Sequence, residues 1–392
     1  MTSDVDGTCA AQFEPLWDLL AAELASGEEL GASVCVDVDG ETVVDLWGGW
    51  ADDARTRPWQ ADTLVNVWSV TKPVTSLAVL MLVDRGLLDV HAPVADYWPE
   101  FGAAGKGGIQ VRHLLSHTSG VAGWDRPFLA QDMYDLPRAT ALLAAQAPWW
   151  EPGTASGYHA MSQGHLLGEL VRRTTGRSLT EFVADEIAGP LGADFTLGVP
   201  PSERHRVSPL LPPPRVPVDW DALDPADPRT RMLDGPRLSP TIADTSGWQD
   251  AEIGAGNGHG NARSVTRILS AISLGGTVDG VRLLSEQTAQ RVLEEQSHGV
   301  DLVLGVPLRF GLGVGLSEPL TVPDLPAGRT CFWCGWGGSM VVMDLDRRTT
   351  FSCTVNRMSP DLIGSRRGWG YLRATYAALT GQNDPAGQGA PL

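Results

Sequence analysis

The 392-residue chain predicts an α+β fold, and three observations carry that reading. β-Branched, alternating runs lie near both ends, helical text fills the middle from about 74 to 190, and a proline-laden stretch at 199–240 interrupts it. The simplest arrangement pairs the terminal segments in one antiparallel sheet flanked by the first and last helices, with the middle of the chain as a helical domain alongside. In residue terms, 1–75 and 250–392 form a discontinuous α/β domain, and 76–249 form a mainly helical one. A ligand belongs in the cleft between them.

In chain order, residues 11–27 (AQFEPLWDLLAAELASG) carry apolar positions at helical spacing and stop at a glycine. ASVCVDV and ETVVDLWGG predict a hairpin, because the Asp39-Gly40 between them suits the positive φ of a tight turn. VTSLAVLMLVDRGLL, VRHLLSH, PRATALLAAQA, SQGHLLGELVRRTTG and LTEFVADEIAGPLG follow as helices. Residues 199–240 hold too much proline for regular helix or central strand and predict a long surface excursion. SMVVMDLDRRTTFSCTVNRM then supplies two strands around Asp346-Arg347, and an amphipathic helix over 363–380 closes the fold.

Forty-seven acidic against 29 basic residues give a net charge of −18, which disfavours nucleic acid and anionic membranes, since both need a basic footprint. The N-terminus lacks the basic start and apolar core of a signal peptide, and no apolar run approaches the ~20 residues of a membrane span. The five cysteines therefore read as reduced thiols, and a cytoplasmic protein is expected. CFWC at 331–334 has the spacing of a redox or metal pair, but its setting is strand-like and no second pair or histidine cluster accompanies it. Neither a metal nor another cofactor is expected, and the sequence leaves the oligomeric state open.

The chain has two lysines, Lys72 and Lys106, against twenty-seven arginines. Lys72 stands three residues after a serine in NVWSVTKPVTSLAVL, whereas the same Ser-Val-Thr word at 264–266 ends in Arg267. Positions i and i+3 share a helix face, so Ser69 and Lys72 meet if Ser69 opens a helix, and Pro73 is tolerated in a first turn. A serine hydroxyl is a poor nucleophile until a neighbour accepts its proton. Burial lowers an amine from its ordinary ~10.4 towards neutrality, while a guanidinium stays charged. The apolar setting, LVNVW before and SLAVLMLV after, predicts that burial. Replacing Lys72 by arginine is expected to abolish activity, and the same change at Lys106, in the glycine-rich AAGKGG loop, to be nearly silent.

Ser69-Val70-Thr71-Lys72, together with VRHLLSHTSG at 111–120, the tyrosine segment at 157–192 and GWGGS at 335–339, resembles the serine β-lactamase and penicillin-recognising fold. Within that fold the chain is similar to the class C-like esterases called family VIII carboxylesterases, over roughly residues 15–380. The resemblance implies Ser69 as acyl-accepting nucleophile, Lys72 as the group that orients it and helps deprotonate it, and Tyr158 as the residue that shares the proton as general base and then as acid to the leaving group. It also implies an oxyanion hole made by the backbone amides of Ser69 and Ser339.

Two departures point away from lactams. Where the lactamases have Tyr-x-Asn, this chain has Tyr158-His159-Ala160, and where they have Lys-Thr-Gly the match is Trp336-Gly337-Gly338. A carboxylate-binding cation and hydroxyl have become indole and hydrogen, so a neutral acyl or alcohol group is expected to fit better than an anionic lactam. Trp336, Gly337, Gly338, His159, Trp124 and Trp248 are the expected substrate-binding residues. Of Trp124, Trp149, Trp150, Trp248, Trp333 and Trp336, two or three are expected to line the pocket, while His113 and His117 are read as structural. The leading function is hydrolysis of small neutral esters. Acyl transfer to an alcohol or amine through the same acyl-enzyme is the first alternative, and a non-catalytic acyl-binding sensor is the second.

Overall fold

Asp39 and Gly40 both adopt positive φ, 53° and 88°, and close the hairpin between strands Gly31–Val38 and Glu41–Gly49. In the computed structural model, which describes residues 5–213 and 223–381, that hairpin is part of a nine-stranded antiparallel sheet. Across the sheet the strands run Val5–Cys9, Glu41–Gly49, Gly31–Val38, Thr349–Val355, Met340–Asp344, Thr330–Cys334, Gly315–Leu316, Pro307–Phe310 and Ser297–Val300. The seam between the two ends of the chain is the pairing of Gly31–Val38 with Thr349–Val355, in which Ala32 faces Val355 and Val38 faces Thr349. Four strands, Val5–Cys9 and the three between 297 and 316, were not legible as such. They are short, broken by glycine or proline, and held by their neighbours in the sheet.

Alternation along the strands builds a core on each face. Met340, Val342, Phe332 and Phe351 meet Leu16 and Leu20 of the first helix (Glu14–Ser26) and Tyr371 and Leu372 of the last (Arg366–Thr380). Val341, Met343 and Cys331 point the other way, into the core shared with Ile268 and Leu269 of the helix Ala262–Ser273 and with the helical half of the molecule. Each such side chain, fully buried, contributes about 1.5–3 kcal/mol.

The helix Thr71–Asp84 is buried on every side from Thr71 to Leu82, as an all-round apolar sequence requires. It packs against the helix Ser162–Thr175. Gly164 in that helix is a point of closest approach, since a Cβ there would lie 2.2 Å from the Ala255 nitrogen. That contact seats the 254–258 segment beside the start of the buried helix. Lys106 is also fully buried, its Nζ donating to the carbonyls of Ala103 and Ala144, each at 2.9 Å, and of Gln146.

The proline-rich stretch is not the plain surface excursion expected. Val207–Ser208 forms the edge of a small second sheet beside Leu64–Asn66, and Pro228–Asp234 is a short helix started by its proline and capped by Asp227. Residues 214–222 of the stretch lie outside the described residues. Among the described residues no helix is long and apolar enough to cross a membrane.

Candidate active site

Trp68–Val70 makes one tight 3-10 turn that runs directly into the helix Thr71–Asp84. Trp68 takes φ of 48°, a conformation that bulky residues avoid. The neighbouring structure holds it there: its ring packs on Trp248 and Trp336, with centroids 5.2 and 5.1 Å away, and its carbonyl accepts from Thr71 Oγ1 at 2.5 Å. This turn sets Ser69 at the cavity wall with Lys72 one turn on and on the same face. Lys72 Nζ lies 2.9 Å from Ser69 Oγ.

The amine has two further acceptors, the carbonyls of Ala160 at 2.7 Å and Ala255 at 2.8 Å. Burial drives its pKa well below the ordinary lysine value, and no carboxylate among the described residues pairs with it to oppose that. A neutral amine fits this cage completely: two N–H bonds go to the carbonyls and the lone pair faces the serine hydroxyl. Tyr158 OH lies 2.7 Å from Ser69 Oγ on the other side, and Trp333 Nε1 donates to that phenol at 3.3 Å. Burial pushes the Tyr158 phenol up, while its hydrogen bonds with Ser69 and Trp333 pull the other way. Ser69 thus sits between a depressed amine and an elevated phenol.

A cavity of about 420 Å³ opens from this point. Its walls are Trp68, Trp124, Met161, Trp333, Trp336 and further apolar side chains, and Met232, Leu233 and Leu238 come from the proline-rich stretch folded back over it. The ion pairs Arg126–Asp234 and Arg231–Asp125 tie that segment down. Arg237, paired with Asp234, is the one cation on the wall among the described residues.

Several expected positions prove to lie elsewhere. Trp124 and Trp336 reach the cavity, as does Trp333, but Trp248 does not: it is fully buried behind Trp68, with Nε1 bonded to Asn66 Oδ1 at 2.9 Å. His159 also turns away. Its ring bonds to Ser119 Oγ and to the Gly157 carbonyl, each at 2.6 Å, and burial lowers its pKa to about 4. His117 accepts from the His159 amide at 3.1 Å and is held well below its ordinary pKa by burial, so both imidazoles are neutral structural groups.

Gly337, Gly338 and Ser339 are a correction of larger consequence. They form the hairpin turn after the strand Thr330–Cys334, not part of the cavity wall: Gly337 and Gly338 have φ of 97° and 119°, and Gly335 N donates to Ser339 O at 2.6 Å. The Ser339 hydroxyl accepts from Val355 N at 3.2 Å, inside the sheet. The wall is instead Trp333-Cys334-Gly335-Trp336. Gly335 is the point of contact with the nucleophile turn, since a Cβ there would lie 2.3 Å from the Val67 carbonyl. Two Trp-x-Gly words three residues apart made the register ambiguous in sequence, and the strand ends at the first. CFWC divides accordingly: Cys331 and Cys334 are free thiols on opposite faces of the strand, each pushed up by burial.

Comparison with known proteins gives a consistent picture. The family profile described as Beta-lactamase matches residues 16–374. Esterase/beta-lactamase LipL of Mycobacterium tuberculosis (strain ATCC 25618 / H37Rv) is 35% identical over 345 residues, 85% of this chain and 78% of LipL. Esterase EstB of Burkholderia gladioli is 36% identical over 200 residues, 47% of this chain and 50% of EstB. Among solved structures, a family VIII carboxylesterase superposes with a TM-score of 0.89 at 38% identity, covering 95% of this chain and 99% of its own. A penicillin-binding protein homolog from Caulobacter crescentus does so at 0.88 and 34% identity, covering 96% and 100%.

Proposed function

The chain belongs to the β-lactamase family, and from that premise we propose that it is a serine carboxylesterase that cleaves small neutral esters through an acyl-enzyme on Ser69. The observation that carries this reading is the convergence of Lys72 Nζ and Tyr158 OH on Ser69 Oγ, at 2.9 and 2.7 Å, beside an apolar cavity.

Lys72 is the base, because burial favours its neutral form, and Tyr158 is the acid, because burial favours its phenol. Ser69 Oγ forms a bond to the ester carbonyl carbon as its proton passes to Lys72. The oxyanion is assigned to the main-chain amides of Ser69 and Trp336, both of the cavity wall, Trp336 taking the role expected of Ser339. As the bond to the alkoxide breaks, Tyr158 gives that oxygen its proton, and the proton held on Lys72 restores the phenol. Water then repeats the sequence in reverse on the acyl-enzyme.

The cavity wall supports neutral substrates. Trp333, Cys334 and Trp336 line it without a charge, and Arg237 is already ion-paired. A fluorophosphonate should add once, on Ser69, as read by mass spectrometry of the intact protein and its peptides. Turnover of p-nitrophenyl butyrate should exceed that of nitrocefin in kcat/KM, and the reverse ranking would move the protein to the lactamase branch.

A further inference from the structure

Asp301 is a fully buried carboxylate with no cation paired to it among the described residues. Its Oδ1 accepts three main-chain N–H groups, those of Tyr158 at 3.0 Å, Val303 at 2.9 Å and Leu304 at 2.8 Å. Its Oδ2 has no hydrogen-bond partner among the described residues. A buried charge with one oxygen unsatisfied costs stability, and a neutral asparagine or serine would serve a turn of this kind more cheaply. What the carboxylate reaches is therefore informative. It joins the 301–306 turn to the one residue that must hold a proton beside Ser69, and Leu302 N adds a second tie, to the Ser156 carbonyl at 2.8 Å.

We infer that Asp301 is the positioning residue for Tyr158, anchoring its main chain so that the phenol is held where it hands its proton to the departing alkoxide. Tyr158 sits on an irregular segment ahead of the helix Ser162–Thr175, so no helix fixes its Cα. The Gly157 and His159 amides on either side bond to His117, at 2.9 and 3.1 Å, and the tie to Asp301 holds the Tyr158 amide between them. The electrostatics agree with the geometry. Facing the ring are Lys72, with Nζ 4.8 Å from its centroid, His117 edge-on at 4.9 Å, and Cys334. The charge of Asp301 adds to burial in disfavouring phenolate. Trp333 offers the phenol a neutral N–H, where an ammonium would have stabilised phenolate. The inference rests on Tyr158 being the acid. The phenolic proton goes to the alkoxide, and the Ser69 proton, parked on Lys72, replaces it.

Leaving-group dependence tests this directly. Ethyl butyrate and p-nitrophenyl butyrate build the same acyl-enzyme, but ethoxide needs a proton to leave and p-nitrophenolate does not. Rates are expressed per Ser69 titratable with fluorophosphonate, so that misfolded protein drops out. Asp301→Ala, which removes the acceptor of the Tyr158 amide, should lower kcat/KM for ethyl butyrate roughly ten-fold or more beyond its effect on p-nitrophenyl butyrate, and Tyr158→Phe should show the same selectivity, more strongly. Selective loss in Tyr158→Phe with equal losses on both esters in Asp301→Ala would overturn the positioning role and leave the acid assignment standing. Equal losses in both variants would remove Tyr158 as the acid and the inference with it. An Asp301→Ala chain with no titratable Ser69 would also overturn it, by making Asp301 a residue of the fold alone.

Discussion

Lys72 and Lys106 are the only lysines of the chain; both are buried, and each directs its amine at three oxygens. They differ in one atom. Lys106 faces three carbonyls, which only accept, so losing a proton would cost it a hydrogen bond. Lys72 faces two carbonyls and the Ser69 hydroxyl, which can give a hydrogen as readily as take one. Burial lowers both amines, and lowers Lys72 well below its ordinary range. The comparison teaches that scarcity of lysine marks places where a compact, buried amine is needed, and that the partner set then decides whether the amine works or merely holds. The expectation that Lys106 tolerates arginine silently has no support in its surroundings, because a guanidinium is larger and planar where three carbonyls close on a single nitrogen.

The largest effect expected is at the working amine. Lys72→Arg keeps a charge and cannot act as a base, so kcat for p-nitrophenyl butyrate should fall by about 10²–10⁴, with Ser69→Ala at least as low. Circular dichroism should show the fold retained in Ser69→Ala. If Lys106→Arg, assayed per titratable Ser69, lost as much kcat as Lys72→Arg, the distinction between the two lysines would collapse.

The holding amine should report in stability instead. Lys106→Met leaves the carbonyls of Ala144 and Gln146 without their donor, while that of Ala103 keeps the main-chain N–H of residue 106 at 3.1 Å, and each orphaned buried carbonyl costs on the order of 1–3 kcal/mol. Urea unfolding should show a midpoint shift worth about 2 kcal/mol or more, with kcat per active site unchanged. A variant as stable as the parent would mean that water enters the 103–109 loop and satisfies those groups.

The legible and illegible parts of the molecule divide along the same physical line. Ser69, Lys72 and Tyr158 could be read because each role demands a residue type at a set spacing or in a recognisable word, and the structure brings them together. The hairpins at 31–49 and 340–355 were readable from period-two alternation around turn residues. Asp301 carried no signal: it is remote in sequence from Tyr158, and one acid among forty-seven acidic residues says nothing of burial. The wall formed by 232–238 was hidden because proline content reports what a segment cannot be, and not where it returns. The register at 333–339 required knowing where the strand ends, which the repeated Trp-x-Gly does not say.

Acid should separate activity from stability in a further way. kcat/KM should fall with falling pH as Lys72 takes up a proton, on a limb well below the ordinary ~10.4 of lysine, and Lys106→Met should leave that limb in place. His113, His159 and His259 are each lowered to about 4 by burial, whereas the unfolded chain protonates them near ~6.5. Unfolded chains thus bind more protons between those values, and stability is lost as pH falls from ~6.5 to about 4. Tm should drop by several degrees over that window in both wild type and Lys106→Met. A Tm flat across it would mean that these imidazoles are already charged in the folded protein.

The smallest effect expected is at Trp336, where side chain and main chain have separate duties. At Lys72 the proposed function lies in the side-chain nitrogen. At Trp336 the proposed function lies in the amide, while the indole packs on Trp68 and the cavity and remains 40% exposed. Trp336→Ala keeps the amide and removes only a partly buried ring. KM for apolar esters should therefore rise by about 1–2 kcal/mol in binding terms, roughly ten-fold, with kcat within a few-fold of wild type. Trp336→Lys should weaken ester binding similarly, with nitrocefin turnover still below that of p-nitrophenyl butyrate. A fall in kcat of two orders of magnitude at unchanged KM in Trp336→Ala would show that the indole, by bracing Trp68, sets the positive-φ turn that presents Ser69. The boundary between packing and chemistry would then shift from the Lys72 cage to the tryptophans behind it.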